Sequence, residues 1–69
     1  MKRYNYVIHR DGPRTTIGLL RRRTSASVTF DPMDGRGDIT APLGLCTFAV
    51  GSRFDIMAAR LTVAEGWEL

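Results

Sequence analysis

Arg21-Arg22-Arg23 is the densest run of like charge in the chain, and its chemistry is anion binding. A guanidinium presents a planar fork of donors that matches phosphate or carboxylate two bonds at a time. Neighbours in a strand point to opposite faces, so three successive arginines cannot share one side. The run therefore belongs at a strand end, an edge or a turn, exposed beside Thr24 and Ser25. There it reads as a clamp for phosphate or for acidic side chains, or as edge charge that keeps foreign strands from pairing. Lys2, Arg10 and Arg14 fall in the same N-terminal stretch and favour the clamp.

Other residues could do chemistry but lack the company it needs. His9 and Cys46 are the only histidine and the only cysteine, so neither an internal disulfide nor a four-ligand zinc site can form. As base and nucleophile they make a poor pair, because Cys46 lies in the most apolar segment and reads as a small hydrophobe. The segment Asp31-Pro32-Met33-Asp34-Gly35-Arg36-Gly37-Asp38 resembles a calcium loop only in its acidity. An EF-hand needs acidic ligands at positions 3, 5 and 12, where Met33, Gly35 and Pro42 stand. It also lacks the Gly-Lys-Ser/Thr ending of a phosphate-binding loop. What remains is a polar loop, Arg36 included, suited to touching a partner. Tyr4 and Tyr6 beside basic residues could stack on unpaired bases, but so small a chain needs its aromatics for the core. Trp67 reads as an interface anchor or as a cap on a terminal helix.

The elements that position these residues follow from patterning. Residues 3–10 alternate, with Tyr4, Tyr6 and Ile8 on the greasier face. Asp11-Gly12-Pro13-Arg14 is a turn, and Thr15 to Arg22 is a second strand with Ile17 and Leu19 on one face. The two strands form an antiparallel hairpin. Ser27–Phe30 and Ile39–Ala41 are short strands, and Leu43–Val50 reads as a buried one. Ser52, followed three residues later by Asp55, resembles a capping box. Phe54, Met57, Ala58, Leu61 and Glu65 then fall at helical spacing, and Gly66 is a natural stop, although β-branched Thr62 and Val63 also allow a strand through Arg60-Leu61-Thr62-Val63. The expected fold is α+β: a small antiparallel meander of three to five strands with one C-terminal helix, in a single domain over residues 1–69.

Charge and size bound the function. Residues 1–23 carry seven basic side chains against Asp11 alone, a net of +6, whereas residues 24–69 carry a net of −3. The basic part either seeks an anionic partner or is neutralised by the acidic part within the fold. No stretch approaches the roughly 20 apolar residues of a membrane span, and the N-terminus lacks the apolar core of a signal peptide. One cysteine points to a reducing, cytoplasmic setting. With 69 residues and no staple, the chain gains core by pairing with a second copy, so a homodimer is one expectation. No catalytic constellation, metal or cofactor is expected. The reading is a non-enzymatic binding module of the size of phage and mobile-element accessory inhibitors. It would act stoichiometrically on a partner protein or nucleoprotein, through Arg10, Arg14, Arg21, Arg22, Arg23, Arg36 and Trp67. The alternative is a direct nucleic-acid binder using the same arginines.

Overall fold

In the computed structural model, which describes residues 2–67, strand β1 (Arg3–Asp11) runs into β2 (Arg14–Arg23). Gly12 at their junction has φ 60°, the conformation a two-residue hairpin turn asks of its first central residue. Strands β3 (Ser27–Asp31) and β4 (Ile39–Pro42) continue the antiparallel meander. A 3₁₀ turn at Leu43–Leu45 then delivers β5 (Cys46–Ser52) to the far side of β1. The order is β4-β3-β2-β1-β5, followed by the helix α1 (Arg53–Ala64). The expected α+β meander thus has five strands and one C-terminal helix.

Chain length forces this sheet to curl. Laid flat, its two edge strands would sit about 19 Å apart, four interstrand spacings. The passage from Pro42 to Cys46 spans at most about 14 Å even when extended, and here it is wound into a 3₁₀ turn. A bulge in β2 between Leu20 and Arg22 supplies a bend. Fully buried Val7, Val28 and Phe30, with Ala41, fill the inside of the curl. Ile39 from one edge strand and Phe48 from the other pack on that same cluster. The outer face carries the second cluster, Ile17 with Ile56 and Ala59 of the helix, flanked by Tyr4, Tyr6, Ile8 and Val63.

Two expectations are corrected by the curl. Val7 belongs to the less greasy side of β1 by pattern, yet it is fully buried, because the sheet has core on both faces. Leu43–Val50 is not one buried strand. Its first three residues are the 3₁₀ turn, with Leu45 exposed, and the remainder begins an edge strand with Thr47 and Val50 exposed. The small and β-branched residues there serve edge pairing with β1.

The helix ends are set by local chemistry. Asp55 donates its backbone N–H to Ser52 Oγ at 3.4 Å, while Ser52 N–H donates to Asp55 Oδ2 at 2.7 Å, a reciprocal capping box. At the far end Gly66, φ 87°, donates to Val63 O and Trp67 N–H donates to Thr62 O, the two bonds of a Schellman stop. Donation from the Ser52 backbone N–H, then from its hydroxyl, holds the Asp55 carboxyl below its ordinary value of 3.8. The folded chain therefore binds fewer protons than the unfolded one below about pH 4. Stability from this group is full above the ordinary value and is lost as pH falls through the lowered one. Asp34 is lowered too, first by the Arg36 backbone N–H, and acts with the same sign. The urea midpoint is expected to drop between pH 5 and pH 2.5, and to drop less in Asp55→Asn; an equal drop in both would remove Asp55 from the account.

Candidate functional site

The fold disperses the arginines that the sequence gathers. Arg21 is held between Asp38, at 3.6 Å, and Asp31, at 4.0 Å. The Arg23 guanidinium lies 4.4 Å from the centre of the Phe48 ring, reaching across the inside of the curl from β2 to β5. Arg22, opposite Thr29, is exposed. Arg10 donates to Thr47 Oγ1 at 3.4 Å and lines a cleft of about 390 Å³ with Pro13, Val63 and Trp67. Arg14 lines a second cleft with Arg36 and Arg60, which shares Thr15 and Val63 with the first. Arg36 is paired to Asp34 within its own loop. The loop itself is anchored: Pro32 is buried, Met33 packs on the helix-side cluster, and Asp31 Oδ1 accepts from Met33 N–H at 2.9 Å.

The helix carries Phe54, Met57 and Leu61, three of the exposed large hydrophobic side chains among the described residues. Ile56 and Ala59 are buried on the sheet, with Val63 packed beside them. Phe54, Met57 and Leu61 fall on the opposite side at helical spacing, 73%, 48% and 63% exposed. The stripe read from sequence at helical spacing, Phe54-Met57-Ala58-Leu61, is thus turned away from the core. The helix carries two apolar stripes, and the smaller one is buried because Ile56 and Ala59 fit against Ile17 and the tyrosines. Arg53 and Arg60, two turns apart, flank one side of the exposed stripe; Asp55 and Thr62 flank the other. The flanking charges are unequal. Asp55 is engaged by Ser52 at the cap, and Thr62 Oγ1 donates to Ala58 O at 2.8 Å. Arg53 has no ion pair among the described residues.

Comparison with known proteins adds no relative. The chain matches no protein-family model, no curated protein and no solved structure. The functional reading therefore rests on the surface chemistry.

His9 and Cys46 are direct cross-strand partners, an adjacency their sequence separation hides. The pair still lacks the poise of a nucleophile and base. Partial burial pushes the Cys46 thiol up, away from the thiolate, and Cys46 Sγ donates to Pro42 O at 3.5 Å. His9 packs its ring on Phe30, centroids 5.8 Å apart, with Nε2 buried and unbonded among the described residues. Tyr4 and Tyr6 pack on the helix-side cluster rather than forming a stacking platform. Trp67 is 69% exposed beside the Arg10 cleft. No helix among the described residues is long and apolar enough to cross a membrane.

Sequence reasoning missed the outward aim of Phe54 and Leu61, and it missed Arg60. A signal for the first exists: Ile56, Ala59 and Val63 also fall at i, i+3 and i+7, so the segment contains a rival inward stripe. Arg60 had no local signal, because its neighbours Arg14 and Arg36 come from elsewhere in the chain.

Proposed function

We propose that this chain is a non-enzymatic binding module that occupies a partner protein or nucleoprotein stoichiometrically, as small accessory inhibitors do. The observation that carries the reading is the exposed stripe Phe54-Met57-Leu61 on a helix whose other face already fills the core. Exposed aromatic and aliphatic side chains at this spacing suit a helix laid into an apolar groove. The occupant we assign is a partner groove that is apolar at its floor and acidic at its rim. Arg53 beside the stripe and the net charge of +3 supply the complement. A second copy fits less well. In a two-fold antiparallel pair each flank of the helix meets its own equivalent, so the side bearing Arg53 and Arg60 would face itself. Nucleic acid is the weaker alternative, since Arg21 is engaged by two carboxylates and Arg23 by a ring.

The test places a photoreactive phenylalanine analogue at Met57 in the cell that makes the protein. A one-to-one adduct with one other protein is expected, its cross-linked residues lining an apolar groove with an acidic rim. Phe54→Ala should weaken that complex by about a hundredfold, the scale of an interface hot spot, and shift stability by no more than about 0.5 kcal/mol. Adducts only to a second copy, or adducts indifferent to Phe54→Ala, would overturn the reading.

A further inference from the structure

We infer that the cleft between the hairpin tip, the 31–38 loop and the end of α1 is a binding site for a phosphate group. Three arginines from three separate segments line it: Arg14 at the start of β2, Arg36 in the loop and Arg60 on the helix. The cleft is open and encloses about 390 Å³, within the range of small-ligand sites. Bringing three like charges to one hollow is unfavourable unless something anionic compensates them. The protein supplies one carboxylate. Asp34 lines the same cleft, but it is engaged within the loop, accepting from the Arg36 backbone N–H at 3.1 Å and from its guanidinium. That pairing holds the Arg36 side chain in place and leaves the cleft cationic. Arg14 and Arg60 have no carboxylate partner among the described residues.

The lining also has the means to bind an oxyanion. Thr15 adds a hydroxyl donor, and Ile17 and Val63 add apolar wall that lowers the local dielectric and strengthens each charge-assisted bond. Phosphate suits this set better than a carboxylate, because it offers more acceptor oxygens and up to two charges to several guanidinium forks at once. The group could arrive on a small phosphate ester or in a nucleic-acid backbone; the chemistry at the three arginines is the same. This site lies on the sheet-side flank of the helix and does not depend on the Phe54 stripe being an interface.

The test follows the arginine Nε–H signals of the intact, nitrogen-15-labelled protein by NMR. Inorganic phosphate, adenosine monophosphate and a ten-residue oligothymidylate are titrated separately at constant ionic strength, with chloride as control. Saturable shifts at Arg14, Arg36 and Arg60 are expected with at least one phosphate probe and not with chloride. Arg14→Gln should weaken that binding about tenfold, and so should Arg60→Lys, which keeps the charge but loses the fork. The amide spectrum of each variant shows whether it is folded, and Arg22→Gln should leave the affinity unchanged. Saturation by phosphate and adenosine monophosphate assigns a small ester; saturation by the oligomer alone assigns a backbone phosphate. Shifts that never saturate, or affinities equal in Arg14→Gln, Arg60→Lys and the parent, would overturn the site.

Discussion

Phe30→Ala is expected to cost about 3–5 kcal/mol and to leave a large fraction of the chain unfolded at 37 °C. Phe30 is fully buried at the centre of the inner cluster, between Val7, Val28 and Ala41, with the His9 ring against it. Its removal takes away the transfer free energy of the ring and opens a hollow that a curled sheet cannot close. A domain of 69 residues has about 3–10 kcal/mol of total stability, so the loss is comparable to the whole. The melting temperature should fall by about 15–30 °C, read by circular dichroism. A loss under about 1 kcal/mol would mean that the two edge strands do not close over Phe30.

Gly18→Ala carries the second largest expected effect, and its sign is opposite to propensity. Glycine inside a strand is ordinarily a weakness, so alanine there should stabilise by about 0.5–1 kcal/mol. Here a β-carbon on Gly18 would stand 2.4 Å from the Asp31 carbonyl oxygen and 2.5 Å from Phe30 Cδ2. One obstacle is backbone and the other is the ring at the middle of the core, so neither yields cheaply. The substitution is expected to destabilise by about 1–3 kcal/mol. Combined with Phe30→Leu it should cost less than the sum of the two single changes, because both act on one contact. A gain in urea midpoint for Gly18→Ala would show that β3 does not cross β2 this closely.

The two glycines at the ends of elements were legible, and Gly18 was not. Gly12 sits in a turn tetrapeptide and Gly66 follows an apolar helical stretch, so their roles are local and the spacing reveals them. Likewise Ser52 and Asp55, three apart, announce the cap that the structure contains. Gly18 answers to Phe30 and Asp31, which reach it only through the β2–β3 pairing. Val7 and Phe54 fail for a related reason. Alternation shows which residues share a face of β1 but not that the sheet curls to bury both. Helical spacing shows that Phe54, Met57 and Leu61 share a face, but Ile56, Ala59 and Val63 share another, and only the shape of the sheet selects between them. The arginine run was legible as exposed charge. Its partners, Asp31, Asp38 and Phe48, lie 10 to 25 positions beyond the residues they hold, where no local rule reaches.

The ladder between β1 and β5 also sets an order of events in time. Its partners are 37 to 49 positions apart, from His9 with Cys46 to Arg3 with Ser52. The other three ladders join neighbours in sequence through short turns or the 31–38 loop. Closing the long loop carries the larger entropy cost, so this pairing waits for the meander and sets the folding rate. On a ribosome the first four strands emerge before Phe48, Ile56 and Ala59 exist. Until those residues arrive, Tyr4, Tyr6, Ile8 and Ile17 have no helix to cover them, and the nascent meander offers a greasy sheet to any passing chaperone or neighbouring chain. The youngest third of the molecule is therefore what makes the oldest part safe.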